Sequence, residues 1–143
     1  IVIKRFLEQF MAQETAEETP NIGLAAAVLL VEVTKADNEI DDTEHKAMLS
    51  AIRLLCPDLD ADALLDEALA VSKSANDMQQ FTSVIHKHWS NEQKSGLLIA
   101  LWRVAFANNE LDKYEEHIIR RAADLLYMPH SEFIRTKLIA RDQ

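Results

Sequence analysis

Seven carboxylates stand where their type and spacing can do chemistry. Asp37, Glu39, Asp41 and Glu44 fall within eight residues, and Glu110, Asp112 and Glu115 form a second cluster. Carboxylate oxygens at this density are the ligands that hard divalent cations such as Ca2+ and Mg2+ select. The same residue types also close helix N-termini. Asp41 with Glu44 three positions on, and Asp112 with Glu115, each read as a capping box, in which the two side chains satisfy backbone N–H groups reciprocally. Acidic residues in a first turn are further favoured by the helix dipole. Capping accounts for Asp41, Glu44, Asp112 and Glu115 and leaves over Asp37, Glu39 and Glu110. Those three carry the metal reading: if the clusters face each other, Glu39 and Glu110 converge on one cation. An EF-hand is excluded, because Asp42 stands where its loop needs Gly and Met48 where it needs a bidentate Glu.

The two clusters are one phrase written twice. Ala36-Asp37-Asn38-Glu39-Ile40-Asp41 returns as Ala107-Asn108-Asn109-Glu110-Leu111-Asp112, an offset of 71 residues. The same offset maps Leu30 onto Leu101, Val33 onto Val104 and Leu55 onto Leu126. Self-similarity at a fixed period marks a duplicated supersecondary unit.

The elements that must position these residues read as helices. The chain has 143 residues, 48% of them hydrophobic, with Gly 2 and Pro 3, a composition of long helices and few tight turns. Apolar periodicity and punctuation place helices at about 2–13, 21–36, 42–55, 60–74, 78–88, 91–107, 113–127 and 131–141. The second and sixth, carrying Leu24 to Val31 and Leu97 to Trp102, are apolar all round and so belong at the centre. Asp77 with Gln80 and Ser90 with Gln93 look like two further capping boxes. The expected fold is all-α, a single compact domain over 1–143 of seven to eight helices, built from two pseudo-symmetric repeats at about 22–75 and 91–141. Glu32 and Arg103, equivalent under the offset, are expected to form an ion pair between the central helices.

Charge narrows the partners. A net charge of −9 argues against nucleic acid and against anionic membrane surfaces, and favours basic protein partners or cations. The longest apolar run, Gly23 to Val31, is too short to span a bilayer, no leader is evident, and Cys56 is the only cysteine. A cytoplasmic protein without membrane insertion is therefore expected, with Cys56 a small buried hydrophobe. Nothing points to catalysis. There is no Gly-rich phosphate loop, no Gly-x-Ser-x-Gly elbow and no His-Glu-x-x-His pair. His86 and His88, two apart on a helix, point in different directions, His45 and His117 beside the acidic corners read as solvated surface residues, and Trp89 and Trp102 as core or partly buried anchors.

The phrase Ala-Asp-Asn-Glu-Ile-Asp-x-x-Glu after an apolar helix resembles the TerB-like domain of tellurite-resistance proteins. That family is also similar to the N-terminal domain of a membrane-anchored DnaJ-like co-chaperone. The resemblance covers about residues 22 to 140. It implies a non-enzymatic helical domain with a role in stress responses and an acidic patch that binds metal ions. Carried over by position, the ligands are Asp37, Glu39, Asp41, Glu44, Glu110, Asp112 and Glu115. This chain departs from the pattern at Asn38, where the family usually has Gly, and at Asn108, where an Asp is replaced and a negative charge lost. The expected function is a stress-linked module whose acidic patch binds Ca2+ or Mg2+ and which recruits protein partners with a basic face. The competing reading is a purely structural protein–protein module, its corners only helix caps and its contact patch formed by Phe6 and Phe10. A metal-assisted hydrolase lacks a nucleophile or general base in sequence.

Overall fold

A computed structural model describes residues 22–34, 40–75, 77–107 and 111–142. They form seven helices, and no strand occurs among the described residues. Helix α1 covers 22–34, α2 Asp42–Leu55, α3 Ala61–Ser74, α4 Gln79–His88, α5 Asn91–Ala105, α6 Lys113–Leu125 and α7 His130–Arg141. The helix expected over 2–13 lies outside the described residues. Each of the other expected helices is present, with ends shifted by two residues or fewer over the described part.

The two apolar helices are central, as their composition requires. In α1, Ala25 through Val31 and Val33 are all buried, and in α5 so are Leu97, Leu98, Leu101, Trp102 and Val104. Helix α5 packs against α2, α6 and α7, which makes it the hub of the described fold. Its heaviest contact is aromatic. Trp102 meets Phe133 of α7 with ring centroids 5.0 Å apart, stacks on Phe106 at 5.9 Å and lies under the Lys137 ammonium at 5.4 Å. The Trp102 indole N–H is buried without a hydrogen-bond partner, so this residue contributes through the packing and the face of its ring. Two turns earlier on the same face of α5, Ser95 donates from Oγ to Glu132 of α7 at 2.8 Å, and Glu132 takes a bidentate pair of bonds from Arg135. Arg135 above all, and then Ser95, hold the Glu132 carboxyl below its ordinary value.

Local chemistry explains where helices start and stop. Ser90 and Gln93 form the expected capping box at α5, and the Asp60 carboxylate caps α3 through Ala63 N–H. The box expected of Asp77 and Gln80 does not form as such. The Asp77 carboxylate accepts from Gln79 N–H at 3.0 Å, a tighter two-residue turn, and α4 begins one residue later than that box requires. Helix α6 ends in a Schellman turn: Met128 N–H bonds Ala123 O at 2.9 Å and Tyr127 N–H bonds Asp124 O at 3.0 Å. Tyr127 takes the left-handed conformation there (φ 59°), a position that usually belongs to glycine. Gly23 serves a different purpose. A Cβ at that position would come within 2.6 Å of Leu59 Cδ1 and 3.5 Å of Cys56 Sγ, so glycine lets α1 begin close against the α2–α3 connection.

Glu32, expected to pair with Arg103, has a described partner on α3. It accepts from Ser72 Oγ of α3 at 2.7 Å and faces a cleft shared with α6, whereas Arg103 faces a different cleft shared with α2. Cys56 is half-buried rather than buried, because it caps the exposed end of α2. Burial still pushes its thiol up from the ordinary value, which disfavours the reactive thiolate.

Candidate functional site

The two acidic corners are built by the same local rule. At the first, Ile40 packs into the core and turns the chain so that Asp41 becomes the N-cap of α2. Asp41 Oδ1 accepts from Glu44 N–H at 2.7 Å, and Glu44 Oε1 accepts from Asp41 N–H at 3.3 Å. At the second, Leu111 packs inward and Asp112 caps α6. Asp112 Oδ1 accepts from Tyr114 N–H at 3.1 Å, and Glu115 Oε1 accepts from Asp112 N–H at 3.2 Å. Both capping boxes read from the sequence are therefore formed.

Burial separates the four described carboxylates into two kinds. Asp41 and Asp112 are exposed, whereas Glu44 and Glu115, equivalent under the 71-residue offset, are each 2% exposed with Oε2 wholly shielded from solvent. Acidic side chains are seldom buried this far. The positive end of the helix dipole and the backbone N–H groups of the first turn make it tolerable here. Asp37, Glu39 and Glu110 lie outside the described residues. Among the described residues, no three His, Cys, Asp or Glu side chains come together as a metal cage. His45 and His117 flank the corners, the first half-buried and the second exposed.

A polar cleft lies next to the second corner. It encloses ≈ 310 Å³ and brings Glu32 of α1 and Asp77 before α4 to Tyr114 and Arg121 of α6, over a floor that includes Met78 and Ile118. The sequence reading did not single out Asp77, Tyr114 or Arg121 as cleft residues. Their separation along the chain hides the grouping, and only the approach of α1 and α6 creates it. Lys94 was also missed. It is 4% exposed, and its ammonium donates to Leu126 O at 3.2 Å and to His86 Nδ1 at 2.6 Å. It thereby ties α5 to the C-terminal end of α6, where the helix dipole attracts a cation. The His86 ring in turn packs at a tilt of 46° against Tyr127 with ring centroids 4.5 Å apart. Burial pushes the Lys94 ammonium below its ordinary pKa.

A model of the family described as tellurite resistance protein TerB matches residues 23–138, from the start of α1 into α7. No curated protein and no solved structure matches the chain.

Proposed function

The chain belongs to the TerB family, and from that premise we propose that it is a non-enzymatic helical module of the tellurite-resistance type whose two acidic corners bind a divalent cation and recruit a protein partner. The observation that carries this reading is the matched pair of buried glutamates. Glu44 and Glu115 stand 71 residues apart, each 2% exposed, each braced against a helix start that adjoins the acidic phrase. The donor set is all oxygen, which suits Ca2+ or Mg2+ and not a soft metal. Asp37, Glu39 and Glu110 would hold the cation together with the exposed carboxylates of Asp41 and Asp112, while Glu44 and Glu115 fix the helix starts. When bound, the cation supplies positive charge that offsets repulsion among these groups and draws the corners into one rigid surface.

The repeat proposed from the sequence supports this arrangement. The offset carries α1 onto α5 and α2 onto α6, each to within two residues. It also relates two clefts: Glu32, Ile118 and Arg121 of the polar one stand at the positions of Arg103, Ala47 and Ser50 in the cleft between α2 and α5. We read the halves, about 22–75 and 91–141, as pseudo-symmetric parts of one domain. An acidic patch on a chain of net charge −9 suits a partner with a basic face. No helix among the described residues is long and apolar enough to cross a membrane.

A second reading has its own support. The capping boxes at Asp41 and Asp112 are complete without any ligand, which suits a purely structural protein–protein module. Calorimetric titration of the chain with Ca2+ and Mg2+, beside a Glu39→Gln, Glu110→Gln variant, separates the two. Saturable binding abolished in the variant supports the cation module. Absence of binding at millimolar cation leaves the corners as caps.

A further inference from the structure

The polar cleft at Glu32 gathers both signs of charge from three parts of the fold. Glu32 comes from α1, Asp77 and Met78 from the turn into α4, and Tyr114, Ile118 and Arg121 from α6, where their spacing puts them on one face. At ≈ 310 Å³ the cleft has the size of the smaller small-molecule sites, which begin at about 300 Å³. Its counterpart under the 71-residue offset, between α2 and α5, is an apolar trough bordered by Leu54 and Leu55. There Arg103 stands where this cleft has Glu32, and Ser50 where it has Arg121. The mixed charge therefore belongs to this cleft and not to the duplicated frame.

The charged groups are set in place but do not neutralise one another. Ser72, 3% exposed, donates from Oγ to Glu32 Oε1 at 2.7 Å and so aims the carboxylate. A carboxylate has roughly four acceptor sites, so one such bond orients it without filling it. Asp77 is fixed by the bond that its Oδ1 accepts from Gln79 N–H at 3.0 Å. Arg121 has no ion pair or hydrogen bond among the described residues, although both carboxylates line the same cleft, whereas its neighbour Arg120 pairs with Glu116. A guanidinium and two carboxylates that share a cleft without pairing leave space between them for a molecule of complementary charge.

We propose that this cleft binds a free basic α-amino acid of the lysine type. The α-carboxylate meets Arg121, whose planar fork suits a carboxylate bidentately. The two ammonium groups meet Glu32 and Asp77, and the methylene chain lies along Met78 and Ile118. Tyr114 adds an aromatic face that favours a cation. The charges balance, because the two carboxylates and one guanidinium of the cleft sum to one net negative charge and such an amino acid carries one net positive charge.

The test is an amide NMR titration of the full chain with L-lysine at constant ionic strength, with a chelator present so that the acidic corners play no part. Cadaverine, which lacks the carboxylate, and L-norleucine, which lacks the side-chain ammonium, are titrated in parallel. The proposal expects saturable shifts at Ala75, Met78, Tyr114 and Ile118 with millimolar L-lysine, and binding at least about tenfold weaker for each analogue. Arg121→Gln, an exposed change, should weaken L-lysine binding at least about tenfold and leave cadaverine unaffected. Glu32→Gln keeps an oxygen for Ser72 and should weaken both. Absence of shifts at these residues overturns the proposal. So does cadaverine binding as well as L-lysine, which would make the ligand a bare amine, and so does L-norleucine binding as well, which would remove the role of Asp77.

Discussion

Lys94 shows what one buried charge does to this molecule. Its ammonium reaches the carbonyl of Leu126, the C-cap of α6, and the His86 ring, and burial lowers its pKa from the ordinary 10.5. A lysine whose folded pKa is depressed binds fewer protons in the native state than in the unfolded one across that interval. Stability then rises with pH between the lowered value and 10.5, is complete above 10.5 and is lost as pH falls through the folded value. Urea titrations of wild type and Lys94→Met at several alkaline pH values should show the difference moving in favour of wild type as pH approaches 10.5. A difference that does not change with pH would contradict this account. Tyr127 gives a second residue-scale result. Its φ of 59° costs an L-residue about 1–2 kcal/mol. Tyr127→Gly and Tyr127→Ala both lose the contact with His86, so their difference isolates the backbone. Thermal unfolding should find the Gly variant more stable by about 1 kcal/mol, the reverse of the order within a helix.

At the scale of elements, four of the corner carboxylates cap helices, Asp41 with Glu44 at α2 and Asp112 with Glu115 at α6. Asp41→Ala should cost about 0.5–2 kcal/mol by removing the N-cap of α2, and Asp41→Asn should restore most of it, because Asn caps as well as Asp does. If the corner binds a cation, the Asn variant keeps its melting temperature and loses cation affinity, so one substitution separates the two roles. The bond between α5 and α7 is apolar in its main part. Phe133→Ala deletes a ring that is 1% exposed and packs on Trp102, and chemical denaturation should show a loss of about 3–5 kcal/mol. Elements were also the level most legible in the sequence. Apolar all-round stretches, Pro57, Pro129 and the Ser90 and Asp41 caps fixed helix positions closely, since each acts through neighbours in the chain. The end of α6 was set two residues too late, because a Schellman turn with Tyr in place of Gly carries no ordinary stop signal.

At the scale of the whole molecule, the legible part was the central place of the two apolar helices and the illegible part was everything that depends on packing between distant helices. Glu44 and Glu115 could be read as capping residues, but their burial to 2% exposure could not, since burial is set in three dimensions and not by neighbours in the chain. The Ser72 partner of Glu32 was illegible for the same reason, since it comes from α3, 40 residues away in the chain, and Glu32 and Arg103 line different clefts. The polar cleft at Glu32 and Arg121 and the apolar trough at Leu54 exist only once α1, α2, α5 and α6 are assembled. The central claim is that the two acidic corners of this TerB-family module form a cation site. Amide NMR titration of the full chain with Ca2+ and then Mg2+ tests it most directly. The account predicts saturable shifts centred on residues 36–45 and 107–116 that vanish in the Glu39→Gln, Glu110→Gln variant, and spectra that are unchanged at both corners up to millimolar cation would contradict it.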